Sequence, residues 1–316
     1  MKNERSCELQ LDPCIARQLE EEAPKITEKT QWYLDNPDQI TTFMDFRVDF
    51  AFKFILGHKP ILKKLLNDIL PVQVSDIEYL PNEIPVISEK EKRAAFDVIC
   101  TEKDTGEKFL IEMQRRGDTD MDDRLIYYGA SLIHNQVRRG DTVYLLQPVF
   151  VVCIADYLRK HAAIVPENKM LFHYSLRETE LGEGFSDNRL HFYIMELPRL
   201  QKVWESLDEN VERWCYLFEN LHNFVHLPKD AKGFEDVFEI AQTGQMEQKG
   251  LLNYLNAMIT EYEWNTYTEY ARREGIEEGI EKGEIRGVKK LADKLLAMGV
   301  SPDVIKAAQD SLPKES

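Results

Sequence analysis

Positive charge is in short supply in this sequence: 40 Lys and Arg stand against 56 Asp and Glu, a formal net charge of −16. Affinity for a nucleic-acid backbone comes mostly from Lys and Arg, so binding through the surface as a whole is excluded. A local basic strip on an acidic protein remains compatible with it. Long apolar runs are also missing. The longest, Val143 to Leu158, is interrupted by Gln147, Pro148 and Asp156, so no membrane-crossing helix is expected. Met1 to Gln10 is polar and lacks the apolar segment of a secretory signal. Cysteine is sparse: Cys7, Cys14, Cys100, Cys153 and Cys215 include no C-x-x-C pair. An odd count with no export signal predicts a reducing cytoplasm, with thiols serving as core filler. The H-E-x-x-H zinc signature is absent too. His222 and His226 are four apart, but Asn223 follows His222, and a polar helix edge is expected there.

What is present centres on two β-rich runs, Ala94 to Cys100 and Lys108 to Arg116, separated by Lys103-Asp104-Thr105-Gly106. Apolar runs around an Asp- and Gly-bearing turn predict a hairpin. A turn centred on Asp104 and Thr105 sets Asp97 across from Glu112; a register shifted by two sets it across from Gln114. Side chains alternate along a strand, so Asp97 shares a face with Glu112 and Gln114 in either case. Phe96, Val98, Ile111 and Met113 are expected on the other face. Two carboxylates close together on a mostly apolar hairpin repel, and burial disfavours their ionised forms. A divalent cation removes that conflict, and hard oxygen ligands suit Mg²⁺. The competing reading is a polar sheet edge with Glu112 paired to Lys108, Arg115 or Arg116.

The 316 residues suffice for one large domain with appendages or for two. Residues 1–40 read as a polar N-terminal arm, partly ordered at best. Apolar spacing over 43–70 predicts two helices, broken at Gly57-His58-Lys59-Pro60. Asp49 lies near the start of the first, as a carboxylate favoured by the helix dipole or as a third acidic ligand. A strand over Val74 to Leu80 precedes the hairpin. A helix over Arg124 to Arg139, a buried strand over Val149 to Ala155, mixed loop and short elements over 157–187 and a strand over Arg189 to Leu197 follow. Leu200 to Phe224 reads as a helix whose aromatics are core. Residues 245–270 read as another. Gly275, Gly279, Gly283 and Gly287 recur every fourth residue in a charged segment. Each costs a helix roughly 1 kcal/mol against Ala, so a frayed linker to a last helix is expected, with close helix approach in a homo-oligomer as the alternative.

This order of elements, with Asp on the second strand and Glu-x-Gln on the third, resembles the PD-(D/E)XK nuclease superfamily. More closely, it resembles the Rpn family of recombination-promoting nucleases and transposases. The residues that carry the likeness are Asp49-Phe-Ala-Phe-Lys53 with Gly57, Phe96-Asp97-Val98, and Ile111-Glu112-Met113-Gln114. Further matches are the Arg124…Tyr128 helix running on to Arg138-Arg139-Gly140-Asp141-Thr142-Val143-Tyr144, then Tyr193-Ile-Met-Glu-Leu-Pro198, Glu212-Arg-Trp214 and the Gly-x-x-x-Gly tail. The likeness spans roughly residues 43–290.

The resemblance implies an α/β restriction-endonuclease-like core at 41–240, a mixed sheet flanked by helices, with a helical C-terminal region at 241–316. It implies a metal-dependent DNA endonuclease using Mg²⁺, or Mn²⁺ or Ca²⁺. Asp97 and Glu112 would hold the metal, with the Met113 carbonyl as a further ligand and Asp49 as the supporting helix acid. Gln114 takes the place of the lysine usual in the wider superfamily, and Lys53 or Arg124 would supply that charge. Arg115 and Arg116, with Lys63, Lys64, Arg138 and Arg139, would contact DNA phosphates, giving little sequence specificity.

Overall fold

The computed structural model describes residues 9–20, 25–82, 96–115, 120–137, 140, 142–185 and 188–310. Among them a six-stranded sheet has the order β1-β2-β3-β4-β6-β5. Its strands are β1 (Ile77–Tyr79), β2 (Val98–Glu102), β3 (Lys108–Gln114), β4 (Val149–Ala155), β5 (Leu171–Ser175) and β6 (Leu190–Glu196). The first three pair antiparallel, β3, β4 and β6 run parallel, and β5 joins β6 antiparallel. Three parallel strands therefore end together, at Gln114, Ala155 and Glu196. The buried strand β4 has the predicted bounds, and its seven residues are all buried because both faces of the sheet are covered.

One face packs against α1 (Pro13–Glu20), α3 (Asp49–Leu56), α4 (Lys59–Ile69), α6 (Asn210–Asn220) and α7 (Glu235–Ile240), through Phe46, Phe52, Leu62, Trp214, Phe218 and Phe238. The helix α2 (Glu28–Asp35) opens on a Thr27 cap. The other face is covered by α5 (Met121–His134), whose Met121, Leu125 and Leu132 lie over Leu110, Val151 and Cys153. A Cβ on Gly129 would come within 2.7 Å of Leu190 Cδ1, so the glycine lets α5 lie close on β6.

The hairpin takes the first of the two registers, Val98 opposite Ile111, which continues to Asp97 opposite Glu112. Its turn is held by Glu102. That carboxylate is nearly shielded from solvent, at 1% exposure. It accepts from the Asp104 and Thr105 amides at 2.6 Å each and from Ser75 Oγ at 2.6 Å. Gly106 takes a left-handed φ of +74°, which closes the loop onto Glu107.

Several expectations are corrected. Phe96 packs under α5 with Ile99 and Leu110, not with Val98, because the chain bends at Asp97 and strand alternation ends there. The region read as an arm holds packed structure: Ile15 of α1 is fully buried and the Asp12 amide bonds Gly57 O at 3.0 Å, while the short element within 157–187 is β5. The helix expected from Leu200 to Phe224 is shorter: Trp204 sits in a 3₁₀ turn, and α6 begins only at Asn210. The break expected at the glycine repeat is absent: α8 (Gln248–Ala297) runs through all four glycines, their cost outweighed by the strong helix formers around them. A Cβ on any of the four would meet nothing within 4 Å.

The chain divides into units 1–258 and 259–316. The second holds the remainder of α8 and α9 (Pro302–Asp310), whose Ile305 is buried. Among the described residues no helix is long and apolar enough to cross a membrane.

Glu102 yields a stability prediction. The Ser75 hydroxyl, then the Thr105 and Asp104 amides, hold its pKa at about 2, below the ordinary 4.5. A depressed folded-state value means that the stabilisation is complete above the ordinary glutamate range and is lost as pH falls toward 2. Glu102→Gln is expected to cost about 1–2 kcal/mol in urea unfolding at pH 7, with the gap to the native chain narrowing at pH 3. An equal gap at both pH values would contradict this.

Candidate active site

Asp97 and Glu112 meet where β2 begins and β3 nears its end. The Asp97 amide donates to Glu112 Oε1 at 3.2 Å, and the Met113 amide donates to Asp97 Oδ2 at 2.8 Å. Each acid is thus held by the backbone beside the other, and each keeps a second oxygen outside these two bonds. Glu112 is buried at 5% exposure, while Asp97 is partly open. Gln114 lies two residues beyond Glu112 on the same face, partly buried.

The pair is electrostatically loaded. Burial pushes Asp97 up to about 6, and Asp49 adds to that; Lys53, the Met113 amide and Arg124 oppose it. Burial, then the charge of Asp97, raises Glu112 well above the carboxylate range, against the Asp97 amide, Arg124 and Lys53. Burial disfavours the charge on Lys53, but Asp49, Asp97 and Glu112 outweigh it and raise its pKa. The fields of Lys53, on α3, and of Arg124, on α5, therefore converge on one acid pair from two elements.

Asp49 is the first residue of α3, and its carboxylate is bound to Lys53 Nζ at 2.7 Å. Among the described residues no three His, Cys, Asp or Glu side chains form a metal-binding cluster, so Asp49 does not complete one. The side chains that fit a hard divalent cation are the two carboxylates, with main-chain carbonyl, water or substrate oxygen filling the remaining positions, as Mg²⁺ commonly requires.

The charge of Arg115 acts on Asp156, favouring its ionised form, and on His222, disfavouring its protonated form. Arg124 lies over the Tyr128 ring, 5.9 Å from its centroid. Lys64 is bound to Asp68 at 2.8 Å, and Lys63 is half-buried on α4. Arg116, Arg138 and Arg139 lie outside the described residues. His222 stands 3.8 Å from Asp45.

The sequence reading missed the clasp that fixes the start of α3. Arg47 donates to Asp45 through Nε and Nη2 and to Asp156 through Nη1, at 3.0 Å each. The Asp156 amide donates to Gln114 O at 2.9 Å. The segment that carries Asp49 and Lys53 is thereby tied to the carboxyl ends of β3 and β4. An acid directly after the wholly apolar run of β4 was the available signal.

A repulsive buried pair is a stability cost that neutralisation relieves. Asp97→Asn, whose amide oxygen can still accept from Met113 N–H, is expected to raise the melting temperature in EDTA. It is also expected to abolish the rise in melting temperature that Mn²⁺ gives the native chain. Lower stability in EDTA with the Mn²⁺ response intact would refute this view of the pair.

No curated protein and no solved structure matches the chain. A family model does, over residues 46–271, from just before α3 into α8 and across every strand of the sheet. The match includes Asp49, Lys53, Asp97, Glu112, Gln114 and Arg124. The fold, with its mixed sheet between helices and its acid pair at the end of a hairpin, agrees with that assignment, and the chain belongs to the PD-(D/E)XK nuclease family transposases.

Proposed function

We propose that the chain is a DNA endonuclease dependent on a divalent cation, Mg²⁺ or Mn²⁺ or Ca²⁺, with little sequence specificity, serving recombination or mobile elements. One observation carries this reading: two carboxylates locked side by side by each other's neighbouring amides, at an electrostatic cost that a cation would remove. Asp97 and Glu112 would hold the cation, with the Met113 carbonyl as a third protein donor. Bound there, it would lower the pKa of water and stabilise the charge that builds on the phosphate oxygens.

The chain's own residues account for the rest. Gln114 can only orient water by hydrogen bonds, so it contributes direction and not charge. Lys53 and Arg124 bring positive charge to the carboxylates and would offset the phosphodiester's own. Asp49, paired with Lys53, keeps that ammonium in place on α3. Arg115 and Arg116 directly follow the site and suit flanking phosphates. Such contacts position a duplex without reading its sequence.

The glutamine at position 114 and the net charge of −16 favour a second reading, a nuclease-fold module that binds DNA without cutting it. The two separate cleanly. With Mg²⁺, Mn²⁺ or Ca²⁺ the native chain is expected to nick supercoiled plasmid, and both Asp97→Ala and Glu112→Ala to lose at least a hundredfold in rate. DNA binding by the native chain with no cleavage under any of these ions would favour the second reading. Undiminished nicking by both variants would remove Asp97 and Glu112 from the site.

A further inference from the structure

A second cluster of ionisable side chains lies on the sheet face that carries Glu112. In the ladder, Glu112 is level with Cys153 and Ile194, and Gln114 is level with Ala155 and Glu196. Level residues share a face, so Glu196 lies in the row of Gln114, two strands across, with only the small Ala155 between them. All three are the last residues of parallel strands. The carboxyl ends of parallel strands are where open α/β sheets bind their ligands.

Glu196 is fully buried, at 0% exposure. It accepts from His161 Nε2 at 2.6 Å through Oε1 and from Arg199 Nε at 2.5 Å through Oε2. A 3₁₀ turn, Leu197–Arg199, folds the arginine back over the strand end to make the second contact. The bonding is asymmetric. Only Nε of the guanidinium is used, and among the described residues neither Nη1 nor Nη2 of Arg199 has a hydrogen-bond partner.

Phe172 packs against both groups. The His161 ring stacks on it at 4.5 Å, and the Arg199 guanidinium lies 5.3 Å from its centroid. The Lys169 ammonium Nζ also lies 5.3 Å from the same ring. Arg159 stands close by, bonded to Tyr174 Oη at 3.0 Å and to Asp122 at 2.6 Å, at the start of α5.

A buried carboxylate that held its partners only for stability would be served as well by an apolar pair of the same volume. Here it orients a guanidinium whose two outer nitrogens are uncommitted, beside an exposed lysine, while His161 holds its other oxygen. A guanidinium with a free two-nitrogen fork matches the oxygens of a phosphate. We propose that Glu196, braced by His161, is a positioning residue that presents Arg199, with Lys169, as a subsite for a backbone phosphate of a nucleic acid. The subsite lies at the same strand-end edge as Gln114, two strands away from the acid pair. It deepens the nuclease reading and rests on it for the identity of the ligand.

The test uses the full chain and a short DNA duplex in EDTA, where binding is read by fluorescence anisotropy without cleavage. Lys169→Met alters an exposed side chain and leaves the buried pair intact. Arg199→Met combined with Glu196→Gln removes both buried charges together, so that neither is left unpaired. Thermal melts confirm that each variant is folded. Each phosphate contact contributes about 0.9 to the slope of log affinity against log salt, so the native affinity should fall about 3-fold more than either variant's between about 50 and 200 mM salt.

Native slopes in both variants, or no DNA binding by the native chain, would overturn the subsite. Plasmid nicking measured on the same samples keeps the two proposals apart. Nicking by the native chain alongside unchanged slopes would reject the subsite alone. Reduced slopes with no nicking under any cation would reject turnover and leave the subsite standing.

Discussion

The structure depends on a reciprocal hold: the Asp97 amide on the Glu112 carboxylate, and the Met113 amide on the Asp97 carboxylate. Neither acid could stay beside the other on apolar packing alone, since burial and mutual repulsion both act against two charges there. Each backbone bond offsets part of that cost and sets the position of the side chain it holds. The hairpin register makes the arrangement available, and the Glu102-capped turn sets the register. A carboxylate at the far end of the hairpin thus supports the geometry of two others at its open end.

Around this pair the fold brings charge from several directions. Lys53 comes from α3, whose start is clasped by Arg47 to the ends of β3 and β4 through Asp156. Arg124 comes from α5, which covers the opposite side of the sheet from α3. The row at the carboxyl ends continues through Ala155 to Glu196 with its bound Arg199 and His161. The net charge of −16 therefore coexists with Lys and Arg side chains gathered at the strand ends, each held by an acidic partner: Arg47 by Asp45 and Asp156, Lys53 by Asp49 and Arg199 by Glu196.

Much of this was legible in the sequence because it is local. The turn chemistry of Asp104, Thr105 and Gly106 and the strict alternation around it implied that Asp97 and Glu112 share a face. The run from Val149 to Ala155 announced a strand buried on both sides. What was not legible depends on contacts distant in sequence. Asp156 and Glu196 are single acids after apolar strands, and only the parallel register shows that they end level with Gln114. Strand β5 is short and half-exposed, so its composition did not set its bounds within 157–187. The packed helix at Pro13–Glu20 was hidden by polar neighbours, since its burial comes from α3 and the close approach at Gly57. The glycine repeat misled for a different reason: propensity counts each glycine's cost, but not how strongly the intervening residues favour the helix.

The central claim is that the two acids are built to share a cation. Crystals of the full chain soaked in Mn²⁺ and measured at the manganese absorption edge test it directly. A single anomalous peak within coordinating reach of both the Asp97 and Glu112 carboxylates is the expected result. A fully soaked crystal with no peak there, or with manganese bound elsewhere and the acid pair unchanged, would contradict the account.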